Sequence, residues 1–135
     1  MTELSNSIEQ VLAVGQSAIF DTVLLHTGCA ECHRQNSGAI NLTQKNAIYE
    51  ISFNANIGAT VAGEGEIGIT LDGSSLPETV AITVVATAGD LVNVSALTFV
   101  KTCCCGNPGT ILLTNTGSTE INLGKNPRIS VKRIA

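Results

Sequence analysis

The sequence has little charge and almost no aromatic residues. Only 13% of its 135 residues are charged, 3% are aromatic and tryptophan is absent, whereas about a quarter of a typical soluble domain is charged. Seven basic residues are scattered along the chain and are outnumbered by eleven acidic ones, which gives a net charge of -4. Because nucleic-acid binding relies on clustered cations and stacking aromatic rings, we expect no nucleic-acid partner.

The chain also lacks a long apolar run. No stretch approaches the roughly 18 apolar residues that a membrane-crossing helix needs, so we expect no membrane insertion. The opening residues, Met-Thr-Glu-Leu-Ser-Asn-Ser, contain neither the basic segment nor the apolar core of a secretory signal. We therefore expect synthesis in the cytoplasm without a signal peptide, with cell lysis or spore release as the route to a virion or another extracellular assembly.

What the sequence does contain is a regular alternation of apolar and polar residues. Between Tyr49 and Ile57 every second residue is apolar, and the pattern returns between Glu66 and Asp72 after a Gly-rich turn. A period of two is typical of a strand with one buried and one solvated face. About ten such segments, separated by turn residues, predict an all-β domain: an antiparallel two-sheet jelly-roll sandwich over residues 10–135. Residues 1–9 are polar and are predicted to form an N-terminal arm.

The predicted strands have uneven lengths, and two Cys-containing segments are predicted as loops, at 26–38 and 103–109. The strand segments are 10–14, 17–25, 39–43, 47–59, 66–72, 78–87, 91–101, 110–115, 119–123 and 128–134.

The segment 91–100 differs from the other predicted strands because apolar residues occupy both of its faces. A strand that is apolar on both faces is typically buried on both. Either another subunit covers the second face, or a bulge near residues 95–97 shifts the parity. With the low charge, this favours self-association. The interface candidates are Tyr49, Phe53, Val92, Val94 and Phe99, with the arm as a docking element.

The order of these features resembles the tumour-necrosis-factor/complement-globular-head superfamily of jelly rolls. Members open with a strand containing a buried Phe, matched here at 18–23, and continue with an aromatic strand, matched at 48–53. They close with two strands matched at 110–115 and 128–134. The resemblance implies a homotrimer around a three-fold axis, although the aromatic residues that line this axis in the family are few here. Its small bacterial and bacteriophage relatives are surface, spore-coat, fibre or capsid-decorating modules.

The cysteine and histidine residues form the one cluster in the sequence that could bind a metal ion or form covalent bonds. Three readings remain open: disulfides within or between chains, a tetrahedral zinc site built from Cys29, Cys32, His33 and one residue of the second loop, and unreactive packed thiols. Residues 29–33 also match the C-x-x-C-H haem motif, but without an export signal we expect no haem. The disulfide or metal candidates are Cys29, Cys32, His33, Cys103, Cys104 and Cys105.

No paired carboxylates, phosphate-binding loop or oriented thiol nucleophile emerges from the sequence, so we predict no catalytic residues and a non-enzymatic role. The predicted function is a homotrimeric structural module of a bacteriophage virion, either a capsid decoration or a fibre head. Its partners are then copies of itself and a larger assembly such as a capsid or fibre. Two alternatives stay open: a spore- or cell-surface appendage subunit, and a module that binds a surface glycan or a receptor through its loops.

Overall fold

The structure is a computed structural model that describes residues 1–135. It contains thirteen strands, one short 3₁₀ helix at Pro77–Thr79 and no α-helix. All strand pairs are antiparallel, and they form two sheets that enclose one core. The predicted all-β, two-sheet jelly roll is therefore confirmed.

Sheet A has seven strands built around one long central strand. The strands are β1 (Thr2–Ser5), β2 (Gln10–Leu12), β3 (Thr22–His26), β6 (Ile48–Ala59), β10 (Val92–Lys101), β12 (Ile121–Leu123) and β13 (Arg128–Arg133). β6 pairs with β10 along one side and with β13 and β12 along the other. Beyond β13 come β1 and then β3, so β10 and β3 are the two outer strands of this part of the sheet.

Sheet B has six strands, in the order β4-β5-β11-β7-β8, with β9 also paired to β7. The β7–β8 hairpin turns at Asp72 and Gly73, whose φ angles of 51° and 83° suit the favoured two-residue Asp-Gly hairpin turn. The strands are β4 (Glu31–His33), β5 (Ile40–Leu42), β7 (Gly63–Leu71), β8 (Ser74–Ser75), β9 (Ala81–Val85) and β11 (Gly109–Thr114).

The core between the sheets is a cluster of 21 buried apolar residues. Strand β6 supplies one side of it through Tyr49, Ile51 and Phe53, while Ile69 and Ile111 face them from sheet B. Each such side chain contributes roughly 1.5–3 kcal/mol on burial. The period-two pattern that predicted these strands is thus the pattern that fills the core.

The predicted N-terminal arm over residues 1–9 is wrong, because β1 lies inside sheet A between β13 and β3. Leu4 is fully buried in the core. The sequence did not predict this strand because the segment is mostly polar. Of its residues, only Leu4 belongs to the apolar core. The first residues therefore belong to the sandwich and do not form a separate docking element.

Two other predicted segments also differ. The loop at 26–38 contains β4, and the strand at 17–25 begins only at Thr22, after isolated bridges at Ser17 and Phe20. In β10, the register with β6 continues without a break from Val92 to Lys101, so the bulge that we considered is absent. The alternation is regular, and the exposed face of β10 carries two large apolar residues, Leu97 and Phe99, beside Asn93, Ser95 and Lys101.

Candidate assembly surface and thiol end

The outer face of sheet A is polar in the middle and apolar at both sides. Reading across the strands by register, one row runs Leu97, Ser52, Ser130, Glu3 and Leu25. The leucines at its two ends are 53% and 40% exposed. The face therefore offers two separate apolar patches with small polar side chains between them.

The larger patch lies where the two sheets meet along β9 and β10. These strands lie side by side, yet each pairs with only one neighbour. Ile82, Val84, Leu97 and Phe99 point outward from them and are 58%, 72%, 53% and 56% exposed. We call these four residues the apolar edge. Exposed apolar side chains grouped in this way typically mark a contact surface.

The smaller patch lies on β3, at the opposite side of sheet A. Leu24 and Leu25 are 47% and 40% exposed, and a register shift in the pairing of β1 with β3 places both outside the core. We call them the β3 patch. Since β3 ends the sheet, the patch is open to a partner both above the sheet and beside it.

Charge on the outer face is sparse. Arg128 lies 3.7 Å from Glu3, and Lys132 lies opposite Glu50 in the register of β13 with β6. Exposed pairs of this kind contribute only about 0–1 kcal/mol to stability. These two acidic and two basic residues balance in net charge, and of them only Arg128 and Glu3 form a salt bridge.

The five predicted interface residues divide into two groups. The prediction is wrong for Tyr49 and Phe53, which are 0% and 2% exposed and belong to the core. Tyr49 also donates its hydroxyl to the Ala30 carbonyl. Val94 is half-buried against the core, whereas Val92 and Phe99 are exposed on β10. An alternating strand exposes only one parity, and the apolar parity of β6 is the inward one.

All five cysteines are free and exposed, so the predicted disulfide is not formed within the chain. Both cysteine loops lie at the end of the sandwich where β6 begins. The turn at 43–46 stands between them: Thr43 donates its hydroxyl to the Cys29 carbonyl, and the Asn46 amide donates to the Cys103 carbonyl at 3.1 Å. We call this the thiol end.

The predicted zinc ligands are not brought together. No group of three or more His, Cys, Asp or Glu side chains is positioned to hold a metal ion. The His33 ring lies with Nε2 at 2.8 Å from the Ser37 carbonyl, and its Nδ1 is buried without a partner. The C-x-x-C-H spacing places these residues close in sequence, but β4 exposes Cys32 and turns the His33 side chain inward.

A buried carboxylate at the same end was missed by the sequence reading. The Glu31 side chain is fully buried, and its Oε1 lies 2.6 Å from the Met1 ammonium group and accepts a 3.1 Å hydrogen bond from Thr2. Its Oε2 has no partner. Nothing in the local pattern distinguished Glu31 from an exposed loop residue, because its partners are 29 or more residues away.

The start of β3 is held by a second carboxylate, that of Asp21. Ser7 donates to it through both its hydroxyl, at 2.5 Å, and its amide, at 3.0 Å, and Thr22 donates its hydroxyl at 2.7 Å. These hydrogen bonds, with the Ser7 hydroxyl first, hold the pKa of Asp21 below its ordinary value of 3.8. The contacts position the strand that carries the β3 patch.

The outer face of sheet B carries a shallow groove lined by hydroxyl groups, which the sequence reading also missed. Ser17 and Thr114 hydroxyls are 2.9 Å apart, and the Thr114 and Thr70 hydroxyls are 3.2 Å apart. Val14 and Leu112 supply apolar surface beside them, and no charged residue lines the groove. Its residues come from distant segments, so no sequence motif could mark it.

No protein-family model matches this chain, and no curated protein matches its sequence. Solved structures do resemble it. PRD1 vertex protein P5 aligns with 100% of this chain and 74% of its own, at a TM-score of 0.56 and 14% identity. Murine APRIL at pH 8.0 aligns with 97% of this chain and 96% of its own, at a TM-score of 0.60 and 11% identity. Murine APRIL at pH 5.0 aligns over similar lengths at a TM-score of 0.58.

These likenesses establish the fold. The chain has a jelly-roll fold similar to those of a phage vertex protein and of APRIL, as the order of its sequence features predicted. Its one helical segment is the three-residue 3₁₀ turn, and the structure has no helix with the length and hydropathy that a membrane crossing requires.

Proposed function

We propose that this chain forms a homotrimer that serves as a structural module of a phage virion, as a capsid decoration or a fibre head. The observation that carries the proposal is the apolar edge: four large apolar side chains, each more than half exposed, on two strands with unpaired sides. A soluble protein with so few charges gains by covering such a surface.

The trimer places the apolar edge of one copy against the outer face of sheet A of the next. The β3 patch then receives part of the edge, and the serine-rich middle of the face allows close approach. The apolar edge and the outer face of sheet A are different surfaces, so the contact is heterologous. Such a contact closes a ring of three when each copy is rotated by one third of a turn relative to the next. Three copies are what the TNF-like resemblance implies.

The energetics favour such a ring. Full burial of a Leu, Ile, Val or Phe side chain contributes roughly 1.5–3 kcal/mol, and each boundary would cover the four residues of the edge and the two of the β3 patch. On this face the Asn93 amide donates to the side chains of Asn54 and Asn56 at 2.7 and 3.1 Å, so these three side chains are already hydrogen-bonded. Their burial therefore costs little.

One observation supports placing the trimer in a virion: the fold resembles that of PRD1 vertex protein P5, and the alignment covers 100% of this chain.

The role is tested in two steps. Light scattering after size exclusion, in reducing buffer at micromolar concentration, should give the mass of three chains. Immunogold electron microscopy of purified particles should then label phage capsids or fibres. Label confined to spores or cell surfaces would replace the virion by the appendage alternative, and a monomer in solution would refute the trimer.

Glycan binding is a second candidate function, and the hydroxyl groove on sheet B favours it. The three hydroxyls of Ser17, Thr114 and Thr70 are joined by two hydrogen bonds, so one hydroxyl hydrogen remains to donate to a ligand. A neutral, hydroxyl-rich molecule fits that chemistry. Thr114→Val should abolish any signal on a glycan array. Thr110→Val, on the same strand but bonded to Asn41, is the matched control and should retain the signal.

A further inference from the structure

The two cysteine loops follow the two outer strands of sheet A. The triplet Cys103, Cys104 and Cys105 comes directly after β10, which ends at Lys101. Cys29 comes directly after β3, which ends at His26, and Cys32 follows on β4. β10 and β3 both run opposite to β6, so they end at the same end of the sandwich.

Within one copy the two strands that lead into the cysteine loops lie well apart. β10 and β3 are separated by four strand-to-strand steps of about 4.8 Å each, while bridged Cα atoms lie within about 7 Å. The turn at 43–46, bonded to both loops, keeps them separate. All five thiols are free, so no bond joins the triplet to Cys29 or Cys32 within one copy.

A ring of copies changes the neighbours of these loops. In a cyclic oligomer every copy has the same orientation along the axis, so all thiol ends lie at one end of the ring. The strand β10 belongs to the apolar edge of one copy, and β3 carries the patch that receives it on the next. Each boundary is therefore flanked by the triplet of one copy and by Cys29 and Cys32 of its neighbour.

We propose that an interchain disulfide crosses each boundary, joining one cysteine of the 103–105 triplet to Cys29 or Cys32 of the next copy and closing the trimer covalently. This inference rests on the proposed trimer. It gives a role to two of the five exposed thiols of each copy, whereas unpaired cysteines are normally among the most buried residues.

The bond forms by exchange with a small-molecule disulfide once the assembly leaves the reducing cytosol. The thiolate of one loop attacks a sulfur of the small disulfide, which forms a mixed disulfide and releases one small thiolate. The thiolate of the neighbouring copy then attacks the protein sulfur and releases the second small thiolate. The two protein sulfurs are oxidised, the small disulfide is reduced to two thiols, and the two protons lost by the protein pass to them.

In the first test, the full chain at low micromolar concentration is oxidised with glutathione disulfide. The product is then separated by non-reducing denaturing electrophoresis. The wild-type chain should run mostly as a covalent trimer, and dithiothreitol should return it to monomer. C29S/C32S and C103S/C104S/C105S should each lose the covalent trimer completely, while light scattering in reducing buffer still reports three chains for both.

The sharper test co-expresses the two variants with tags of different length. In any mixed ring only one boundary has an intact triplet facing an intact Cys29 and Cys32. Oxidation should therefore give covalent dimers of one long and one short chain, and no covalent trimer. Peptide mass spectrometry of that dimer should find a triplet cysteine joined to Cys29 or Cys32.

Several results would overturn the inference. Cross-links within one chain, triplet-to-triplet bonds, or ladders beyond the trimer would each show different pairing. A non-covalent trimer in which all five thiols of every copy stay alkylatable after oxidation would also overturn it, while leaving the proposed trimer intact. A monomer in reducing buffer would refute the proposed function itself, so the two failures are distinguishable.

Discussion

Strands β6 and β10 are paired along ten residues, yet their outward faces differ. β6 presents Glu50, Ser52, Asn54 and Asn56 outward, while its partner presents Leu97 directly opposite Ser52 and Phe99 directly opposite Glu50. Their inward faces are alike, both packing against the core. Folding of one copy explains the inward faces of both strands and the polar outward face of β6. It does not explain the outward face of β10, which we assign to contact with another copy.

The largest expected effect comes from breaking the inward face of β6. Ile51 is fully buried and lies between Thr98 of β10 and Val131 of β13. Ile51→Ala should lower the free energy of unfolding by about 2–5 kcal/mol, because it removes buried methylene groups and leaves a cavity. Urea denaturation at fixed protein concentration measures this. Ser52→Ala, one residue along on the outward face, should change it by less than about 0.5 kcal/mol; equal effects would contradict the assigned orientation.

The next effect comes from placing a charge on the outward face of β10. Leu97→Glu should dissociate the trimer, because an unpaired carboxylate in an apolar contact loses its hydration. The matched control is Val14→Glu, in the turn that follows β2 and beside the groove on sheet B, since the two wild-type side chains are 53% and 57% exposed. Sedimentation velocity in reducing buffer should show monomer for the first variant and trimer for the second. If both variants are trimers, the apolar edge is not part of the interface.

A smaller effect on stability is expected at Glu31, whose charged side chain is buried. Glu31→Gln keeps the shape but removes the charge that faces the Met1 ammonium group. The hydrogen bonds to a charged acceptor should weaken, and stability should fall by about 2 kcal/mol. Thermal and urea unfolding measure this, with the exposed Glu9→Gln as control. No loss would mean that the unpaired Oε2 offsets what the ion pair contributes.

The smallest effect concerns Asp21, beside the β3 patch. Its pKa is lowered in the folded chain, with the Ser7 hydroxyl as the main cause. The stability it contributes is therefore fully present above its unfolded-state pKa of about 3.9, and is lost as pH falls through the folded-state value. Asp21→Asn should be slightly less stable than wild type at pH 7, and the difference should vanish at strongly acidic pH. A difference that is constant with pH would contradict this assignment.

The sequence was sufficient to predict the fold in those places where the structure depends on the alternation of residues along one strand. The inward residues of β6 and β7 follow from period two alone, and Gly and Asp-Gly positions place the turns. It failed where a residue's position depends on distant partners. β1 looked like a polar arm because Thr2 and Leu4 are buried only through contacts with β13 and β3.

The candidate site shows the same limit. The burial of Tyr49 follows from the alternation of β6. The exposure of Phe99 does not follow in the same way, because β10 has apolar residues on both faces. Both cysteine loops lie at one end of the sandwich, where the turn at 43–46 stands between them. Local spacing therefore suggested a shared site that the fold does not assemble within one copy.

The measurement that tests the account most directly is the solution mass of the full chain by light scattering in reducing buffer at micromolar concentration. A single species with the mass of three 13.9 kDa chains is the predicted result, and it should disappear in Leu97→Glu. A single-chain mass for the wild-type protein would contradict the assignment of the outward face of β10 to a neighbouring copy.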